Sequence, residues 1–496
     1  MKSRREIAPA AAHTEVAGLT NRPNLALLVV VTGVLITAVD TTIVVLALPE
    51  IQRTFHIGLA SVIWVIIGYL FIITLVSTQV GRLGDMFGRV SMYKMGFVIF
   101  VVASALCALS WNELSLIIFR LIQGIGGAFI AANSGAVIAD TFPRDKRGRA
   151  YGFNAIGYST GAVLGVVLGG TIVTYISWRW IFWINLPIGI AAVLVAQKVL
   201  RDTAPRISRR IDWWGALAVG LGLFGLLWAM VDLISEEINP TIVGFFVGGV
   251  LCLVAFWQIE RHTTEPLLDF DLFKIPTITP SFFAAMLQSL ANFAVLFLLL
   301  MYLQGVQHLD PIRASLLLVP GYIIGGVFGP LSGRYADRHG AVVPATFGLG
   351  LQILALIAYA QLGLHTSLWY IVIAYTVGAI GGSCFFPANN SAVMKVAPSN
   401  AFGITSGLLR TFANIGMVFS FAVAILIASA SISRHVAFAI FVGSSSISPK
   451  VTGAFVNGLH AAFYASTSLM VVAAILSASR RRVPRAVPIP GLEDPS

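Results

Sequence analysis

The chain has 496 residues, of which 57% are hydrophobic and 11% charged, where a soluble domain carries about 25% charged residues. This excludes a soluble protein and leaves no room for a soluble domain of any size. The net charge of +11 does not indicate nucleic acid, because no basic run alternates with aromatics and the bases sit in short loops between apolar runs, where the positive-inside rule places them.

Residues 1–24 are basic and lack a short apolar run with a cleavage site. They read as a cytoplasmic tail rather than a signal peptide. About 20 apolar residues cross the hydrocarbon core, and fourteen such runs follow. The predicted helices 1 to 14 cover 25–48, 61–80, 92–110, 114–139, 151–175, 178–197, 213–233, 241–259, 277–304, 314–333, 342–362, 367–388, 403–429 and 454–478. Val436–Gly443 is apolar but too short to span, and is expected in the loop between helices 13 and 14. With the N-terminus inside, 25 of the 32 Lys and Arg residues fall on the cytoplasmic face and 5 on the outer face, while Arg120 and Arg410 stay within helices. This asymmetry supports both the helix count and the orientation. It predicts a multi-pass protein of the plasma (inner) membrane with both termini cytoplasmic.

A charged turn, GRLGDMFGRV at Gly81–Val90, lies between helices 2 and 3 and returns as GRYADRHG at Gly333–Gly340. Gly81, Arg82, Asp85 and Gly88 fall on Gly333, Arg334, Asp337 and Gly340, 252 residues on. The second turn follows helix 10, although two equal six-helix halves would put it after helix 8. Two helices are therefore extra, and helices 7 and 8, between the halves, are the natural candidates. The divisions are a tail at 1–24, a half at 25–200, a linker with two helices at 201–275, a half at 276–479 and a tail at 480–496.

Two six-helix halves with this turn resemble the major facilitator superfamily, and the central pair resembles its fourteen-spanning drug:proton antiporters. Val39–Pro49 (VDTTIVVLALP) is similar to that family's helix 1 motif, and Gly81–Arg89 to the superfamily's signature loop. Arg120–Gly124 (RLIQG) resembles the helix 4 motif, Gly157–Gly170 (GYSTGAVLGVVLGG) the antiporter motif of helix 5, and Trp178–Gly189 (WRWIFWINLPIG) the opening of helix 6. The family's proline is missing from helix 5, where Ala162 and Val166 follow the central glycines. Without a proline bend, a straighter helix 5 is expected, with altered packing of its glycine face.

Asp40 is the one acid well inside a predicted span, and an intramembrane acid is a functional candidate by default. Leaving water favours a carboxyl's neutral form and a nearby guanidinium its charged form. Asp40 and Arg120 lie roughly 12 and 9 Å from the outer ends of their helices at about 1.5 Å per residue, so they share a level. They are read as the proton-coupling pair, against a static ion pair as the alternative. Gln288 with Asn292, and Arg410 with Asn414, are spaced one helical turn apart and are candidates to line the substrate cavity. Interhelical hydrogen bonding is an equal alternative for the first pair.

Arg82, Asp85, Arg89 and Asp140, with the Arg144–Arg149 cluster, are expected to form a charge network on the cytoplasmic side. The resemblance implies a conformational latch for Asp85 and Arg89, with Asp337 and Arg338 as a weaker counterpart; charge that only sets topology is the alternative. Gly124–Gly127, Gly161–Gly170 and Gly378–Gly382 allow close helix approach. Cys107, Cys252 and Cys384 read as small hydrophobes. No metal spacing, nucleotide loop or catalytic set is present, so neither a cofactor nor enzymatic chemistry is expected.

The fold class is thus all-α and polytopic, with the major facilitator arrangement plus two helices. The resemblance implies proton-coupled export of hydrophobic or amphipathic small molecules by a monomer in the lipid bilayer. An exporter of a lipid or specific metabolite, a nutrient symporter and a non-transporting scaffold are the alternatives.

Overall fold

The computed structural model describes residues 22–142, 144–202, 212–235, 237–263, 272–397, 402–429 and 449–480. Val436–Gly443 lies outside the described residues. Among the described residues every regular element is helical, as required where no water can satisfy a backbone. Fourteen helices are long and apolar enough to cross a membrane. Helices 1 to 6 cover Pro23–Phe55, Leu59–Phe87, Arg89–Ala108, Glu113–Thr141, Arg144–Tyr175 and Trp180–Val199. Helices 7 and 8 cover Trp213–Ser235 and Pro240–His262. Helices 9 to 14 cover Ile278–Val306, Val319–His339, Val342–Tyr359, Leu368–Val396, Phe402–Ser429 and Pro449–Ala478. The face that carries the two charged turns is called the basic face below.

The halves repeat each other in backbone detail. Gly88 and Gly340 close the two charged turns with φ of 104° and 102°, a region costly for any residue with a Cβ. Each turn leads into a helix that crosses its neighbour at two glycines. A Cβ on Gly96 of helix 3 would stand 3.0 Å from the Gly126 oxygen of helix 4. A Cβ on Gly348 of helix 11 would stand 2.5 Å from the Gly381 oxygen of helix 12.

Helix 5 runs unbroken from Arg144 to Tyr175 and lies along helix 1. Gly157, Gly161, Gly165 and Gly169, one turn apart, meet Val31, Leu35, Val39 and Ile43 in order. Thr42 Oγ1 donates to the Ala162 oxygen at 3.3 Å across this seam. The expected glycine face therefore packs on the helix that carries Asp40, along its whole length.

Helix 9 departs from the sequence reading of one continuous helix over 277–304. It is helical over Ile278–Asn292, turns at Phe293–Ala294, resumes over Val295–Met301 and ends as a π-helix over Tyr302–Val306. No proline or glycine stands at the turn. A tertiary partner takes the amide instead, since the Ala294 N–H donates to Ser420 Oγ of helix 13 at 2.9 Å.

Helices 7 and 8 pack closely on each other through Gly222, Gly225 and Gly249. Helix 7 also lies against helices 2 and 13, with Trp64 of helix 2 set 5.7 Å from both Phe224 and Trp228. The inserted pair thus rests on one helix from each half. At the face opposite the basic one the halves touch directly. A Cβ on Gly170 would stand 2.8 Å from the Pro311 oxygen in the short helix Pro311–Leu316 that leads into helix 10. Val45 and Pro49 of helix 1 face Phe297, Leu300, Met301 and Gln304 across a cavity of about 10 Å³, no more than one water needs.

Candidate functional site

Asp40 sits midway along helix 1 and is fully buried. Its Oδ2 accepts from Arg120 Nη1 at 2.6 Å, and its Oδ1 from Gln123 Nε2 at 2.8 Å and Asn185 Nδ2 at 3.3 Å. Four helices meet at this carboxylate, because Ser104 of helix 3 receives Gln123 Nε2 at 2.8 Å and lies 3.5 Å from Asn185 Nδ2. Arg120 is buried as deeply. Its Nε donates to the Val65 oxygen at 3.0 Å, its Nη1 also reaches Gln123 Oε1 at 2.6 Å, and its guanidinium stacks 4.1 Å from the Tyr69 ring centre.

The local fold explains this convergence. Arg120 and Gln123 are three residues apart on helix 4, so both point the same way. Asn185 opens the long part of helix 6 after the turn Trp180–Trp183, and Phe182 of that turn covers the guanidinium from 5.8 Å. A buried ion pair is tolerated only when its remaining hydrogen bonds are met. Gln123, Asn185 and the Val65 carbonyl supply such bonds here, and Ser104 holds the two amides in place.

The sequence singled out Asp40 and Arg120, and the structure brings them into contact. It did not single out Gln123, Asn185 or Ser104. Two of these lay within quoted motifs, Gln123 in RLIQG and Asn185 in WRWIFWINLPIG, as amides inside apolar runs.

The other candidates separate. Arg410 crosses between the halves, with its Nη1 donating to the Ala131 oxygen of helix 4 at 3.1 Å. Tyr158 and Tyr151 of helix 5 lie within electrostatic range of it, and both are substantially exposed. Asn414 is half-buried one turn further along helix 13, and Asn292 is half-buried at the break in helix 9. Gln288 is buried and its Nε2 donates to Gln352 Oε1 of helix 11 at 2.8 Å, which is the interhelical alternative.

Arg89 Nη1 pairs with Asp140 Oδ1 at 2.9 Å, joining the start of helix 3 to the end of helix 4 within the first half. Arg82 is half-buried and Arg338 exposed. The side chains of Asp85, Asp337 and Arg144–Arg149 lie outside the described residues. Among the described residues no group of three or more metal-ligating side chains forms.

A buried acid–arginine pair thus lies within one of two repeated six-helix halves of a polytopic membrane scaffold. The sequence profile of the Major Facilitator Superfamily matches residues 30–421, and the chain belongs to that family of transporters. It is 30% identical over 416 residues to the tetracenomycin C resistance and export protein of Streptomyces glaucescens, covering 82% of this chain and 76% of that one. It is 27% identical over 392 residues to the riboflavin transporter RibZ of Clostridioides difficile, covering 79% and 85%. Among solved structures, the inward-facing, unoccupied bacterial homologue of the human lysosomal transporter Spinster superimposes with a TM-score of 0.64 at 18% identity, covering 94% of this chain and 99% of that one.

Proposed function

We propose that this transporter exports hydrophobic or amphipathic small molecules in exchange for protons, by alternating access of a site between the halves. The observation that carries the reading is the Asp40 carboxylate, buried in the membrane span with a cation and two amides gathered on it. A proton arriving on Oδ2 would take the lone pair that receives Arg120 Nη1 and would loosen that contact. Helix 1 is held to helix 4 by it, so protonation would act on packing between helices. The substrate would lie in the space that Arg410 bridges, with Asn292 and Asn414 beside it and Gln288 bracing helix 9 from behind. Arg82, Asp85, Arg89 and Asp140, with Asp337 and Arg338, would latch the basic face, which we place in the cytoplasm of a plasma-membrane monomer. The tetracenomycin exporter supports the direction.

The likeness to a riboflavin transporter supports a second reading, proton symport of a nutrient. One experiment separates them. Purified protein in proteoliposomes is given an inside-acid gradient, and uptake of a fluorescent lipophilic dye is followed. Antiport predicts gradient-driven uptake that Asp40→Asn abolishes. Uptake surviving Asp40→Asn would remove Asp40 as the proton carrier. Symport predicts accumulation of riboflavin-like solutes only when the acid side is outside.

A further inference from the structure

The two halves place opposite charges just beyond the ends of corresponding helices. In the first half, helix 6 ends at Val199 and Asp202 follows just beyond it. The Asp202 carboxylate covers the start of helix 3. Val90 N donates to Oδ1 at 2.7 Å, Ser91 N donates to Oδ2 at 3.0 Å, and Ser91 Oγ joins in. This is a carboxylate on the positive end of a helix, where backbone amides lack partners. A Cβ on Gly88 would stand 2.5 Å from that carboxylate. Lys94 fixes the register, with Nζ donating to the Leu200 oxygen at 2.8 Å.

The 252-residue shift lays Gly88 on Gly340 and Lys94 on Thr346. Helix 14 takes the place of helix 6. The register contact recurs, since Thr346 Oγ1 and Ser477 Oγ lie 2.9 Å apart. The first half has Asp202 two residues beyond Leu200, and the second has Arg480 three residues beyond Ser477, in each case just past the end of the helix. Helices 11 and 14 run antiparallel here, so Arg480 falls level with the first turn of helix 11.

That turn has no side-chain cap. Pro344 supplies no amide, and the N–H groups of Val342 and Val343 have no carbonyl to meet within the helix. The space at Gly340 is open, with nothing within 4 Å of a Cβ built there. Arg480 is 3% exposed, and Nε, Nη1 and Nη2 are all buried without a hydrogen-bond partner. Burial lowers the guanidinium from its usual value to about 10. An uncompensated buried cation beside an uncapped helix start is costly on both counts.

We infer that Arg480 and the first turn of helix 11 form an anion site on the basic face, built to take a phosphate group. The phosphate would do for the second half what the Asp202 carboxylate does for the first. Its oxygens would receive the free amides of helix 11, as anions do at helix starts, and its charge would meet the guanidinium. Arg480 lies two residues past the candidate span Gly453–Ala478, where a span of this kind meets the headgroup region. The phosphate of an anionic lipid and free inorganic phosphate share the required chemistry.

The test follows the thermal unfolding midpoint of the purified full-length protein in detergent, titrated with phosphatidylglycerol, phosphatidylcholine or inorganic phosphate. Wild type should gain stability saturably with phosphatidylglycerol, and Arg480→Gln should raise the half-saturating concentration on the order of tenfold or more. Arg485→Gln, in the basic tail, should leave the titration unchanged. Without anion, Arg480→Gln should unfold at the same or a higher temperature than wild type, because it removes an unpaired buried charge. Ala341→Asp, which supplies a carboxylate at the start of helix 11, should flatten the response in a protein that keeps Arg480. A full shift with inorganic phosphate alone assigns the site to a free anion, and inert phosphate with active phosphatidylglycerol assigns it to a headgroup. Identical titrations of wild type and Arg480→Gln, or equal responses to phosphatidylcholine and phosphatidylglycerol, would overturn the site.

Discussion

The shift that lays Gly81 on Gly333 also lays Asp40 on Asn292. In the first half this position is a buried acid on an unbroken helix, bonded by residues from helices 4 and 6. In the second half it is a half-buried amide at a break in helix 9. The side-chain pair that helix 9 buries one turn from this position is a neutral one, Gln288 with Gln352. The backbones match closely enough to share left-handed glycines and glycine crossings, yet at this position the first half holds a buried charge and the second an amide. Duplication explains the shared frame, while proton coupling requires an ionisable group in just one copy. On the proposed antiport reading, the contrast would put coupling in the first half, while the second carries the break in helix 9.

Four outcomes would break or sharpen that contrast. The largest is functional. Asp40→Asn should reduce gradient-driven transport by on the order of a hundredfold or more, as expected when an intramembrane proton carrier is removed, whereas Asn292→Ala should retain gradient coupling. Equal losses in the two variants would erase the distinction between the halves.

Next comes stability. Arg120→Ala leaves the Asp40 charge buried without its cation and should cost about 3–5 kcal/mol in thermal or denaturant unfolding. The double variant Asp40→Leu with Arg120→Met should recover most of that stability while staying inactive in the vesicle assay. Failure to recover would mean that the arginine holds the fold through Val65 and Tyr69 rather than through Asp40.

A smaller effect is expected along the helix 1–helix 5 seam. Gly165→Val drives a side chain into Thr42 and the Val39 carbonyl, and should cost roughly 1–3 kcal/mol by overpacking. Gly244→Val, where the space is open, should change the unfolding midpoint little.

The smallest concerns the amide pair. Gln288→Leu alone strands Gln352 and should cost about 1–3 kcal/mol, whereas Gln288→Leu with Gln352→Leu should be nearly neutral. A double-mutant cycle in unfolding measurements reads the coupling directly.

Fourteen spans and the twofold repeat were legible because each rests on a local signal: a run of apolar residues long enough for the bilayer, and a glycine-bounded charge cluster that occurs twice. Asp40 and Arg120 were legible for the same reason, since a charge stands out in an apolar run. Gln123, Asn185 and Ser104 did not stand out, because neutral polar residues occur in many spans as packing groups. Their role depends on helices 4 and 6 reaching one carboxylate and on Ser104 of helix 3 bonding the two amides. The break in helix 9 was hidden more thoroughly. It depends on the Ser420 hydroxyl, 126 residues along the chain from the amide it receives, and no proline or glycine marks the place. The missing proline of helix 5 was readable, but the partner for its glycine face was not. Spacing shows that a face is smooth without showing what lies against it.

The helix 1–helix 5 seam also has a mechanical consequence. With four glycines seated turn by turn against helix 1, a tilt of helix 5 would carry its neighbour along, and the two would act as one stiff lever. One end of that lever bears on the second half where Gly170 meets Pro311, and its middle carries Asp40. Parting the halves at Gly170 would swing the carboxylate against Arg120 on helix 4, and loosening that ion pair would free the lever to swing.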